Sequence, residues 1–198
     1  MAIRYGASAV GFVSAMPSGP GPIDESLIAE ITPKIPPGVA SFLLTSKQDA
    51  ESIVAQQRRT RANTLQLVDA ISVETYKQLR AVLRGVSLVQ VIHVAGRESI
   101  DEAVAAAPYI DAILLDSGNP SLPVKVLGGT GRTHDWNLSK EIRERAGVPV
   151  FLAGGLKAEN VREAVEFVQP YAVDVCSGVR TNGLLDETKL AAFVNALQ

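Results

Sequence analysis

The chain has 198 residues, 46% hydrophobic and 20% charged, an ordinary globular profile with enough length to bury a sizeable core. A formal net charge of −2 offers no basic field to nucleic acid or an anionic membrane, and no run of about 18 apolar residues exists to span a bilayer. A single cysteine, Cys176, excludes an internal disulfide and fits a reducing compartment; with no signal-peptide pattern at the start, a cytoplasmic protein is expected.

In chain order, residues 1–7 read as the last turn of a helix with Gly6 as its stop. Apolar, β-branched runs then appear at 8–14, 39–44, 64–68, 88–94, 110–116, 148–153 and 172–176. Helical periods lie between and after them at 24–32, 47–58, 73–83, 100–107, 137–145, 159–168 and 187–197. The strands are hydrophobic almost throughout, as in a parallel sheet with both faces covered. Strand and helix alternating at roughly 25-residue spacing predict a parallel α/β fold. No linker, charge block or low-complexity segment interrupts the series, and 36–38 (Pro-Pro-Gly) reads as a turn, so residues 1–198 are expected to form one domain. Seven units are more than a doubly wound sheet commonly has and one fewer than the eight of a (β/α) barrel, which needs about 200 to 250 residues. The opening helix end with no strand before it points to a barrel whose first strand is missing.

In either fold, functional groups gather at the carboxyl ends of the strands. The run 114–136, LLDSGNPSLPVKVLGGTGRTHDW, ends a strand on Asp116 and then crosses a glycine-rich loop. Gly154-Gly155 ends the next predicted strand, and Ser177-Gly178 follows the last. Each glycine pair read separately is a turn former; together, at successive strand tips, they suit backbone N–H groups cradling a phosphate. Strand alternation puts Asp174 and Cys176 on one face.

AILLDS, GGTGRTHDW, FLAGGLKAENV and VDVCSGV, with looser matches at GASAVGFV and LQLV, resemble phosphoribosylanthranilate isomerase of tryptophan biosynthesis over nearly the whole chain. The resemblance implies an eight-stranded TIM-type (β/α) barrel. It also implies an Amadori rearrangement of an aminoaldose phosphate to an aminoketose phosphate, with no metal or cofactor. Residue by residue, Asp116 matches the general acid that protonates the ribose ring oxygen, and Asp174 a second, supporting acid. Gly154, Gly155, Ser177 and Gly178 match the phosphate cradle, and Gly129, Thr130 and Gly131 the loop over the site. The expected partner is a small phosphorylated sugar, neither nucleic acid nor membrane, and the chain is expected as a monomer or homodimer.

Three departures bear on the reaction. The family's first strand ends in Lys-Ile-Cys-Gly, whose cysteine is the general base, and this chain begins after that stretch. The family's arginine for the anthranilate carboxylate has no counterpart in 14–23 (SAMPSGPGPI). The family's Gln-Leu-His-Gly is here Gln66-Leu67-Val68-Asp69. Weak or absent isomerase activity is therefore expected. Two alternatives stand beside the isomerase: a non-catalytic phosphosugar-binding barrel, and an isomerase-like enzyme for a different phosphosugar.

Other residues admit two readings. His93, near a strand end, could reach substrate or pack as a buried polar group. His134 is read as a helix cap or a solvent-facing residue, and Cys176 as a small buried hydrophobe before a thiol catalyst. The cations in 56–61 suit a solvated helix end.

Overall fold

The computed structural model describes residues 1–17, 21–118 and 133–198. Parallel strands and helices alternate as β1 (Ala9–Val13), α1 (Glu25–Ile31), β2 (Ala40–Thr45), α2 (Ala50–Thr60), β3 (Thr64–Leu67), α3 (Val73–Val82) and β4 (Ser87–His93). They continue as α4 (Glu98–Ala106), β5 (Ala112–Asp116), α5 (Trp136–Arg145), β6 (Val150–Leu152), α6 (Val161–Val168), β7 (Ala172–Val173) and α7 (Glu187–Ala196). Helix starts are set by side chains that satisfy first-turn amides. Asp49 accepts from the Ser52 N–H at 2.8 Å, Ser72 from Thr75 at 3.1 Å, Asp135 from Asn137 at 2.9 Å and Asp186 from Thr188 at 3.0 Å.

The parallel sheet runs β1-β2-β3-β4-β5-β6-β7, each strand pairing with its chain neighbours. Its two faces bury different sets. Val89, Val91, Ala112, Leu114 and Ala153 form a small inner cluster containing no helical residue. The alternate positions Leu65, Leu67, Leu88, Ile92, Ile113, Leu115 and Leu152 join the larger outer core. That core takes Ile28, Ile53, Leu79, Ile100, Ile142, Val161 and Leu190, one from each of the seven helices. Helices on one face only exclude a doubly wound sheet and leave the barrel arrangement, in which the sheet curls around its inner side chains. Among the described residues no ladder joins β7 to β1. The two ends are bridged instead by the opening 3-10 turn (Ala2–Tyr5), whose Tyr5 hydroxyl donates to Glu187 Oε1 on α7 at 3.1 Å.

Two differences from the sequence reading concern the C-terminal part. β7 ends at Val173, so Asp174 and Cys176 lie beyond it; only the Asp174 amide prolongs the ladder, donating to Leu152 O at 2.8 Å. A hairpin, β8 (Arg180–Thr181) with β9 (Leu184–Leu185), fills what reads as a plain loop. Asn182 and Gly183, at φ 51 and 79, make the tight turn that an Asn-Gly pair accepts without strain.

Candidate active site

Strand register fixes which side chains share the inner face. His93 at the end of β4 pairs with Asp116 at the end of β5. Both continue the inward alternation of Val89-Val91 and Ala112-Leu114. Phe151 pairs with Ala172, which puts Asp174 on the same face one step beyond β7. The sheet therefore brings His93, Asp116 and Asp174 together at its carboxyl end.

Asp116 is half-buried, and Oδ1 accepts the Ser117 N–H at 2.7 Å. Burial pushes its carboxyl above the ordinary range, with the Ser117 N–H and the neighbouring His93 pulling the other way. Asp174 is pushed up to about 6 by its protein surroundings and then by the Asp116 charge. Its side chain is open to water all the same, which screens the effect. Cys176 is half-buried, and burial raises its thiol, the opposite of an activated thiolate.

The loops after β5, β6 and β7 touch one another. Gly154 and Gly155 both hold positive φ, 79 and 66, where L side chains are strained. A Cβ on Gly154 would stand 3.0 Å from the Ser117 amide nitrogen and 3.0 Å from His134 Nδ1, so the bare glycine lets the β6 loop lie against the β5 loop. Gly178, after β7, presses on that same β6 loop: a Cβ there would run into the Leu156 carbonyl oxygen and lie 3.2 Å from Lys157 Cα. Ser177 and Gly178 open a short 3-10 turn (Ser177–Val179), whose first amides have no acceptor within the turn. This packing of two glycine-bearing tips can hold an anion on backbone donors.

Gly129, Thr130 and Gly131 lie outside the described residues. His134 departs from its expected role. The cap of α5 is Asp135, and His134 is half-buried against Gly154, its Nε2 2.6 Å from Ser139 Oγ. Burial lowers its imidazole to about 4, so it is neutral at physiological pH. Trp136, also half-buried, lines with His134, Glu163 and Phe167 a cavity of about 330 Å³ between α5 and α6. Sequence reasoning missed the Ser117 amide on Asp116; the turn-forming Asp-Ser-Gly was its signal. Among the described residues no group of three His, Cys, Asp or Glu is placed to hold a metal ion, and no helix is long and apolar enough to cross a membrane.

A one-sided β/α sheet with inward acids at its carboxyl edge and glycine-bearing loops packed around them defines a TIM-type barrel. The comparisons make this specific. The family model for N-(5'phosphoribosyl)anthranilate isomerase matches residues 29–196, and the chain belongs to that family. The isomerase of Methanocella arvoryzae is 38% identical over 174 residues, 88% of this chain and 79% of that one. The solved isomerase of Thermococcus kodakaraensis superposes with a TM-score of 0.81 at 26% identity, covering 100% of this chain and 91% of the other. A phosphoribosylanthranilate isomerase in complex with reduced 1-(o-carboxyphenylamino)-1-deoxyribulose 5-phosphate has a TM-score of 0.77 at 26% identity, over 98% and 89% of the two chains.

Proposed function

We propose that this chain converts N-(5'-phosphoribosyl)anthranilate to its aminoketose phosphate, with Asp116 as the general acid, Asp174 supporting it and the phosphate held at Gly154-Gly155 and Ser177-Gly178. The observation that carries the reading is the half-buried Asp116, its carboxyl raised by burial, at the end of β5 whose loop abuts the Gly154 tip. The ligand in the related complex is the reduced form of such an aminoketose phosphate, which supports the substrate class.

In the reaction, protonated Asp116 gives its proton to the ribose ring oxygen as the bond from that oxygen to C1 breaks. The exocyclic nitrogen lone pair forms the C1=N bond. Loss of the C2 proton to a base gives the enolamine; C1 then gains a proton and O2 loses one, so the product is an isomer of the substrate. A carboxyl raised by burial keeps its proton nearer to neutrality, as a general acid must. Asp174 is coupled to Asp116, whose charge adds to burial in raising the Asp174 carboxyl.

Position 68 is valine and 14–23 carries no arginine, so the anthranilate end is gripped weakly and KM is expected above that of the relatives. The test is steady-state turnover of the aminoaldose phosphate by this chain and by Asp116→Asn. Measurable turnover that falls by about 100-fold or more in the variant fits loss of a general acid. Activity that survives Asp116→Asn overturns the acid assignment, and binding of the reduced product analogue without any turnover overturns the enzyme in favour of a phosphosugar-binding barrel.

A further inference from the structure

The isomerisation needs a base for the C2 proton, and strand register offers a position for it. Leu115 of β5 pairs with Leu152 of β6, and Leu152 with Val173 of β7. One step further along, Asp116, Ala153 and Asp174 stand level in one row on the inner face. With neighbouring strands about 4.8 Å apart, the Cα atoms of the two acids lie about 10 Å from each other. The side chain between them in the row is the methyl group of Ala153, part of the small inner cluster. The two carboxyls therefore flank a gap floored by alanine, into which a substrate carbon chain can fit.

The ionisable groups around this gap differ in what they can do. Asp116 is half-buried, with its carboxyl raised, and serves as the acid. His93 stands level with Asp116 on β4, but its Nε2 is 2.9 Å from the Val68 carbonyl oxygen and its Nδ1 is shut away from water, so neither nitrogen is open to a ligand. Cys176 keeps its proton, because burial raises its thiol. Asp174 has its side chain open to water and no ion pair among the described residues. Its carboxyl, titrating near 6, is mostly ionised at neutral pH.

We infer that Asp174 is the general base of the isomerisation: from its place across Ala153 its carboxylate takes the C2 proton while Asp116 serves the ring oxygen. The inference rests on the reading of this chain as the isomerase with Asp116 as its acid. Once Asp116 has protonated the ring oxygen, the C1=N iminium makes the C2–H bond acidic. Asp174 takes that proton, the C2–H electron pair becomes the C1=C2 bond, and the C1=N pair returns to nitrogen. Protonated Asp174 then gives the proton to C1, and the O2–H proton passes to the Asp116 carboxylate. C2=O is left, and both carboxyls end as they began. Two neighbouring carboxyls set apart as donor and acceptor suit acid–base chemistry of this kind. The charges bearing on the pair are their own on each other and His93 on Asp116; Cys176 feels both acids and Arg180.

The experiment compares the full chain with Asp174→Asn, Asp174→Ala and Asp116→Asn. Turnover is followed against pH and with added formate, and affinity for the reduced product analogue checks that each variant is folded. Asp174→Asn is expected to lower kcat about 100- to 10,000-fold, the range for a general base, with affinity for the analogue little changed. It should also lose the acid limb that ionisation of Asp174 near pH 6 gives the parent profile. Formate, a carboxylate small enough for the space of the lost side chain, should restore part of the turnover of Asp174→Ala and none of that of Asp116→Asn. A purely electrostatic role would lower the rate with neither formate rescue nor loss of the limb. Parent-like kcat in Asp174→Asn, or a lowered rate with the limb intact and no rescue, overturns this inference; if Asp116→Asn is inactive, the proposed function stands. A parent chain that binds the analogue and turns over nothing overturns the proposed function and this inference with it.

Discussion

Gly178→Ala offers the sharpest probe of the loop packing. The added methyl would run into the Leu156 carbonyl oxygen, with Leu156 C at 3.0 Å and Lys157 Cα at 3.2 Å. These are backbone atoms, so no side-chain rotation relieves the clash and one loop must move off the other. Overpacking of this kind costs about 1–3 kcal/mol, and immobile neighbours place it toward the upper end. For a chain of this size that is a fall in Tm of about 5–10 °C. Because the displaced segments are the two tips assigned to the phosphate, affinity for inorganic phosphate should fall as well. The matched control is Gly183→Ala at φ 79 in the β8–β9 turn, where a Cβ meets nothing within 4 Å. It should cost only the left-handed strain, about 1–2 kcal/mol, and leave phosphate binding intact. Calorimetry for Tm and titration with phosphate read both effects. A Gly178→Ala chain matching the parent in Tm and in phosphate affinity would refute the packing and the cradle together.

Asp174→Asn should stabilise the fold above pH 6 and leave it unchanged below about pH 4. The folded carboxyl titrates near 6 against an ordinary 3.8; as pH rises between those values the unfolded chain ionises first, and the native state loses stability. Unscreened, the difference is about 3 kcal/mol; water access reduces it to on the order of 1 kcal/mol. Urea unfolding at pH 3.5 and 7 checks this, and an equal benefit at both would contradict it. Tyr76→Phe should cost about 1–3 kcal/mol, because the Tyr76 hydroxyl donates at 2.6 Å to Gln90 Oε1, whose amide nitrogen is spent on the Leu67, Asp69 and Val91 carbonyls; thermal unfolding reports it. Asp186→Ala should lower stability by about 1 kcal/mol by freeing the Thr188 and Lys189 amides at the start of α7, again read by urea unfolding.

The parallel strands and the seven α-helices were legible in the sequence because hydrophobic runs and helical periods are local signals. The position of Asp116 at a strand tip was legible in the same way, as the end of the apolar run 110–116. Other features depend on atoms distant in sequence. Nothing near Gly178 announces that the Leu156 carbonyl occupies the space of its missing Cβ. His134 looked like a cap from its position before a helix, yet Asp135 took that role and left the imidazole to turn toward Gly154. The pairing of His93 with Asp116 follows from strand register, which 22 intervening residues do not encode in any short pattern. The β8–β9 hairpin carries a local signal, Asn182-Gly183, that the sequence reading did not use.

The sequential strand order has a kinetic consequence. Each β-ladder is closed by one intervening helix, so loop-closure entropy is modest at every step and no early event must bring distant segments together. The Tyr5–Glu187 contact is different, because it joins positions 182 apart and can form only once the units between them are stacked. Folding should therefore nucleate in the central strands β3 to β5, where both neighbours are present, and reach the termini last. Native-state hydrogen exchange should show the same gradient, slowest at Ile92 and Ile113 and fastest in β1 and β7, with the ends opening as a unit well before the middle.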